Sequence, residues 1–235
     1  GVDGIAFPAR QAEVIAVGAV DASYRHMYFS NTGPEVDIVA PGLAINAAGP
    51  EDGTVAFSGT SAATPITSAA IAALMSTTPH LTADDAVQLL IAYGDDYGAP
   101  GVDSAYGQGI LNMGRVIQRN EPGIYDVTAG VPYILVPDDM SDALTIEFYA
   151  QNRGTEPIES MTLNVDIDGV PSVLTFANIA VGQTVSERIT VPPDQIPADG
   201  RVTTTHAAVI TGHADVNPRD NGQRSVFILE PIAGN

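Results

Sequence analysis

The stretch Gly59-Thr60-Ser61-Ala62-Ala63-Thr64-Pro65 decides how the rest of this chain is read. It follows a short apolar run, Thr54-Val55-Ala56-Phe57, and Ser58, and it opens an alanine-rich segment that continues to Met75. A strand, a glycine turn, a hydroxyl and an immediate helix place that hydroxyl at a helix N-terminus. Backbone N–H groups there lack intrahelical partners, and the helix dipole favours negative charge. A serine that passes through an oxyanion needs such a place. Ser61 is therefore the candidate nucleophile, weighed against the plainer reading of a helix N-cap serine.

The neighbouring segments alternate strand and helix. Glu13 to Val20 is a nearly continuous apolar run rich in β-branched residues, which predicts a strand covered on both faces of a parallel sheet. Tyr24 to Phe29 is a weaker strand or a loop. Val36 to Ala40 is a second short buried strand, stopped by Pro41-Gly42, and Thr54 to Phe57 is a third. The helix after Ser61 carries Ala62, Ala63, Ala69, Ala70, Ala72 and Ala73 with Ile66, Ile71, Leu74 and Met75, so it is small or apolar almost all round and is expected to be buried. Pro65 falls in its first turn, where a missing N–H does no harm. Thr82 begins a second helix with Asp85 as its capping partner, and Ile110 to Arg119 supplies a short last one.

The character changes at Asn120-Glu121-Pro122-Gly123, and we divide residues 1–122 from residues 123–235 there. Beyond it come apolar runs at Leu144 to Ala150, Met161 to Ile167, Val185 to Val191, Thr203 to Ile210 and Ser225 to Leu229. Turn signals such as Asn152-Arg153-Gly154, Asp168-Gly169 and Ala198-Asp199-Gly200 separate them. Short strands at this spacing predict a β-sandwich of about one hundred residues. The expected fold is thus α/β followed by an all-β sandwich.

Composition narrows the function. The formal charge is −19, and all nine basic residues are arginines. Such a chain does not suit nucleic acid or an anionic membrane surface, whose partners need a positive face. It suits high solubility in a salty or extracellular setting. No apolar run approaches a membrane span. With no cysteine, there is neither a disulfide framework nor a thiolate metal site.

Gly59 to Pro65 resembles the serine motif of the subtilisin-like serine proteases, G-T-S-x-A-x-P. Val14-Ile15-Ala16-Val17-Gly18-Ala19-Val20-Asp21 resembles the strand that follows the family's substrate pocket. Phe29 to Pro34 and Asp37 to Gly42 resemble the two segments between that strand and the serine, and Tyr106 to Asn112 resembles the closing turn. The resemblance covers residues 1 to about 119. It implies a doubly wound parallel sheet, a polypeptide substrate, and an aspartate, a histidine and a serine in that chain order. Only Ser61 is carried over, with Gly59 and Thr60 beside it and Ala6 at the base of the S1 pocket, where a methyl would narrow it. His26, the one histidine before Ser61, lies in a segment with no catalytic role in the family. The side-chain amide of the oxyanion hole would fall just before Gly1, and Gly1-Val2-Asp3-Gly4 reads like the middle of a longer chain.

The resemblance implies no cofactor for catalysis. It does imply a weak calcium site at Asp37 and Glu35 with the carbonyls of Ala9 and Gln11, a donor set that suits a hard cation. Asp215 to Asn221 lacks the alternating ligands of a calcium loop and is read as a turn. His206 and His213, seven residues apart, fit no zinc spacing. Residues 123–235 resemble the CARDB or Ig-like modules of secreted bacterial peptidases, on Gln151 to Ile158, Val165 to Gly169, Ala180 to Thr184 and Ala214 to Asn221.

The expectation is a secreted bacterial serine endopeptidase acting through an acyl-enzyme on Ser61. Its aspartate, histidine and oxyanion-hole residue would come from an N-terminal part of the same protease. A serine without its histidine keeps at most the binding and oxyanion contributions, so the chain alone is expected to be inactive. Two other readings stand beside this one. One is a non-catalytic extracellular binding or secretion-associated module with a protease remnant. The other is a fragment that swaps or dimerises to cover an open sheet edge.

Overall fold

The structure is a computed structural model and describes residues 1–135 and 143–229. It divides into two compact units, Gly1–Ile117 and Gln118–Asn235.

In the first unit, β1 (Val17–Val20) pairs in parallel with β2 (Ile38–Pro41), Val17 lying opposite Ile38. Both strands are largely buried, as their β-branched runs predict. On the far side of β2, the N–H of Val39 donates to Gly109 O at 3.0 Å, and Leu111 N–H donates back to Val39 O at 2.9 Å. The parallel sheet among the described residues is therefore this one pair with a bridge to Ile110. The outer edge of β1 is partly covered from within: Ala19 N–H donates to Ser30 Oγ at 3.1 Å and Ala19 O accepts Met27 N–H at 2.9 Å.

The hairpin that follows corrects one expectation. β3 (Ile45–Ala48) and β4 (Thr54–Phe57) form a two-stranded antiparallel pair of their own, and β4 is exposed at all four positions. Thr54 to Phe57 is a strand, but not a buried one. Its run of four residues is too short for hydrophobicity to reveal which sheet it joins.

Helix α1 (Thr60–Thr77) packs Ala70 and Leu74 on Ile38, together with Ala86 and Leu90 of α2 (Ala83–Ala92) and Val116 of α3 (Met113–Gln118). A second cluster joins Ala63 to Ala19, Ala40 and Met27. The α2 start is the expected capping box: Asp85 N–H donates to Thr82 Oγ1, and Thr82 N–H donates to Asp85 Oδ2, each at 3.1 Å. The expectation that α1 is buried all round is overturned. Ser61, Thr64, Pro65, Ser68, Ala69, Ala72, Ala73 and Met75 are exposed. Positions 61, 65, 68, 72 and 75 follow helical spacing, so they form one continuous stripe of small and apolar groups facing solvent.

The second unit holds two four-stranded antiparallel sheets. One contains β5 (Val127–Ala129), β6 (Tyr133–Leu135), β7 (Leu144–Asn152) and β10 (Thr184–Val191), with β7 in the middle. The other runs β12 (Gly222–Ile228), β11 (Arg201–Ile210), β8 (Ile158–Ile167), β9 (Val170–Ile179). A single core takes Ile146 and Phe148 from the first sheet and Met161, Leu163 and Val202 from the second, each fully buried. β9 has no counterpart among the sequence-predicted strands. Pro171 interrupts its pattern, and the structure places it at a sheet edge, where a missing N–H is tolerated.

Charge suggests a first test. Ion pairs such as Arg25–Asp21, Arg115–Asp95 and Arg188–Glu147 cannot neutralise 28 acidic side chains with nine arginines. Screening relieves such self-repulsion. Thermal denaturation in about 1 M rather than about 0.1 M NaCl is expected to raise Tm by roughly a few degrees; a flat response would show that the excess charge does not strain the fold.

Candidate active site

The turn before Ser61 is built by close backbone approach. Gly59 has φ 142°, a conformation open to glycine, and its N–H donates to Gly42 O at 2.8 Å. A methyl on Gly42 would come within 2.6 Å of Ala19 Cβ and 2.9 Å of Gly59 O. Pro41-Gly42 thus ends β2 and also lets the serine turn sit on the sheet. Ser58 Oγ accepts Ala44 N–H at 2.9 Å and holds the other side of the turn. Gly42→Ala is expected to cost about 1–3 kcal/mol by overpacking and to disturb the Ser61 turn, measured as a lower denaturation midpoint. An unchanged midpoint would mean the turn adapts.

Ser61 is the second residue of α1 and its side chain is exposed. Ala62 N–H turns back to Gly59 O at 2.9 Å, while the N–H groups of Thr60 and Ser61 have no partner among the described residues. No acidic residue occupies the first turn. The site therefore offers two backbone donors and the positive end of an 18-residue helix to an anion. Beside it opens a cleft of about 530 Å³ lined by Ala6, Phe7, Pro8, Val17, Thr60 and Ser61 among others. The structure thus brings Ala6, Thr60 and Ser61 together, while Gly59 supports the turn.

What the site lacks is a base. Among the described residues, no group hydrogen-bonds Ser61 Oγ. His26 packs edge-on to Tyr106 at 5.9 Å, and its backbone N–H donates to Tyr106 Oη at 2.9 Å. Burial pushes its pKa below the ordinary histidine value, against the opposing charge of Asp103. It does not line the cleft. His80 is exposed, at φ 75° before α2. His206 and His213 belong to the second unit.

The cation candidates are committed elsewhere in part. Asp37 Oδ2 accepts Ala16 N–H at 2.7 Å, and Gln11 O accepts Val14 N–H at 2.9 Å. No group of three or more His, Cys, Asp or Glu side chains among the described residues is arranged for a metal. Any ion at Ala9, Gln11, Glu35 and Asp37 would lean on backbone carbonyls.

Sequence reasoning missed two polar sites in the second unit. His206 lies inside the sandwich, and the side chains of Asp215 and Asp220 accept hydrogen bonds from β5. The alternation Val202, Thr204, His206, Ala208, Ile210 was the available signal for the first.

Residues 2–109 match the Subtilase family, peptidase S8. The chain is 36% identical over 118 residues to a thermostable alkaline protease of Halalkalibacterium halodurans, covering 50% of this chain and 32% of that protein. It is 34% identical over 115 residues to subtilisin DY of Bacillus licheniformis, covering 48% of this chain and 40% of the relative. The chain therefore spans less than half the length of these relatives. Among solved structures, a prenylagaramide maturation protease aligns at 33% identity with a TM-score of 0.42, over 48% of this chain and 44% of the other. No described helix is long and apolar enough to cross a membrane.

Proposed function

We propose that this chain carries the nucleophile of a secreted subtilisin-like endopeptidase and that Ser61 attacks the scissile carbonyl of a polypeptide. Oγ adds to the carbonyl carbon, the oxyanion meets the N–H of Ser61, and the amine leaves as the acyl-enzyme forms. The proton leaving Oγ needs a histidine base oriented by an aspartate, and a separate part of the same protease supplies both with the remaining oxyanion donor. The observation that carries this reading is the exposed face of α1. Its stripe of Ser61, Pro65, Ser68, Ala72 and Met75 carries no charge, as suits a helix meant to be covered, and it starts at the nucleophile. Residues 123–235 act as a CARDB or Ig-like accessory module. The test is an active-site fluorophosphonate with intact-mass readout. Labelling at Ser61 in the full-length protease, lost in Ser61→Ala, supports it; an unlabelled full-length protein sinks it and leaves the second reading, an extracellular binding module with a protease remnant.

A weak calcium position at Ala9, Gln11, Glu35 and Asp37 is part of this proposal. Millimolar calcium is expected to raise the unfolding free energy by roughly 1 kcal/mol, with the rise abolished by Asp37→Asn. No rise in the unaltered chain removes the site from the proposal.

A further inference from the structure

We propose that strand β9 pairs with β9 of a second copy of this chain, antiparallel and centred on Thr175, so that two four-stranded sheets join into one of eight strands. β9 lies at the end of its sheet, with β8 on one side and no strand on the other among the described residues. Which of its backbone groups are open follows from the register. Asp168 at φ 49° and Gly169 at φ 88° make a two-residue turn between β8 and β9. Ile167 and Val170 therefore exchange hydrogen bonds, and every second residue along β9 does the same. The far side of β8 has the complementary parity: Ser160 O accepts Thr211 N–H at 2.9 Å and Asp168 N–H donates to Thr203 O at 3.0 Å, both towards β11. Val170, Ser172, Leu174 and Phe176 thus bond β8. Val173, Thr175 and Ala177 turn their N–H and C=O groups to the open edge, where none has a partner among the described residues.

Long open edges are ordinarily guarded by charge, by proline, by a bulge or by a covering loop. β10 carries Glu187 and Arg188, and β12 carries Arg224. β5 is covered: Val127 N–H donates to Asp215 Oδ2 at 2.8 Å and Ala129 N–H to Asp220 O at 3.1 Å. β9 has no charged residue in its ten positions, although the chain as a whole carries −19. Its guards sit only at the ends. Pro171 has no N–H to offer, and Asn178 at φ 54° leaves the extended backbone. Between them Val173, Thr175 and Ala177 are exposed, Val173 at 62%.

These end guards select one register, and that register is self-complementary. With Thr175 opposite its own counterpart on a twofold axis, Val173 of each copy lies opposite Ala177 of the other. All three are hydrogen-bonded pairs, so together they make about six N–H···O bonds. Sliding by two residues in either direction sets an open group against Pro171 or spans the kink at Asn178. On the exposed face a larger Val173 meets a smaller Ala177, and Thr175 meets Thr175, a favourable cross-strand pair. No like charges are brought together along the strands. Leu174 and Phe176 stay packed on their own core, so neither copy unfolds anything in order to pair. The remaining opposition is the −19 carried by each chain, which salt screens.

Sedimentation equilibrium of the full chain tests this. A monomer–dimer equilibrium is expected in about 1 M NaCl, weaker by roughly tenfold or more in about 0.1 M NaCl. Thr175→Lys sets two like charges face to face and is expected to weaken the dimer by roughly tenfold or more. It also lowers the net charge of each copy, so general repulsion alone predicts the opposite result. Thr175→Pro removes two of the edge bonds, leaves the β8 ladder intact and should weaken the dimer as well. Val226→Lys, on the exposed face of β12, should leave it unchanged. A chain that stays monomeric in high salt overturns the pairing, and so does a dimer that both Thr175 variants leave intact or that Val226→Lys weakens equally. Should the Thr175 variants fail to fold, amide exchange of the unaltered chain decides: protection at Val173, Thr175 and Ala177 must rise with protein concentration, and constant protection refutes the dimer.

Discussion

A fluorophosphonate is expected to leave Ser61 of this chain unlabelled when the chain is alone, and to label it when the histidine-bearing segment of the proposed two-part protease is supplied. The geometry carries both halves of that result. The hydroxyl is exposed, the helix dipole and two free N–H groups face the position of an oxyanion, and a cleft lies alongside. Access and electrostatic stabilisation are therefore in place. Activation is not, because no side chain among the described residues accepts the Ser61 proton. Removing the base from a serine triad costs on the order of 10⁶-fold in turnover, and what remains reflects binding and the oxyanion donors. The isolated chain is thus expected to react at a rate barely above that of Ser61→Ala. Complementation should raise labelling by several orders of magnitude, read as intact mass against time. Fast labelling of the isolated chain would require a base within it and would overturn the two-part reading.

The sequence made this site legible because the serine turn is local. Gly59, Ser61 and the alanine run sit within one strand–turn–helix unit, and each residue type has a short-range reason. The Thr82–Asp85 cap and the central strands of the sandwich were legible on the same grounds. What failed was long-range. Hydrophobicity marks α1 as a helix with two coverable faces, yet only one is covered in this structure. Thr54 to Phe57 looks like a core strand, and only its pairing with Ile45–Ala48 shows that it is an exposed hairpin arm. β9 is hidden by Pro171, which is harmless once its strand is known to be an edge. Asp215 and Asp220 are far in sequence from the β5 residues they bond, so no spacing rule joins them.

His206 gives the second large effect, a loss of stability in acid. β11 turns Val202, Thr204, His206, Ala208 and Ile210 inward, so an imidazole is sealed beside Thr204 in a mainly apolar layer at 3% exposure. Its ring meets Phe148 edge-on at 5.3 Å, and Nε2 lies 2.8 Å from Gly130 O. A carbonyl only accepts, so the proton is on Nε2, which leaves Nδ1 enclosed and without a partner. A second proton would have to go to Nδ1, and burial accordingly holds the group down to about 4. Because the folded value lies below the unfolded 6.5, the stabilisation is present above pH 6.5 and is lost as pH falls through about 4. The gap corresponds to about 3 kcal/mol, large beside a typical domain stability of about 5–15 kcal/mol. Urea denaturation at about pH 7 and about pH 4 should show this fall in the unaltered chain. In His206→Gln, whose amide can still donate to Gly130 O but does not titrate, the acid loss should shrink by that amount. Asp126, which burial and then the charge of Asp215 push up to about 7, acts with the opposite sign, so the variant should keep the alkaline limb while losing the acid one. If His206→Gln retains the full acid loss, the carboxylates set the limb and the buried imidazole is only a packing element.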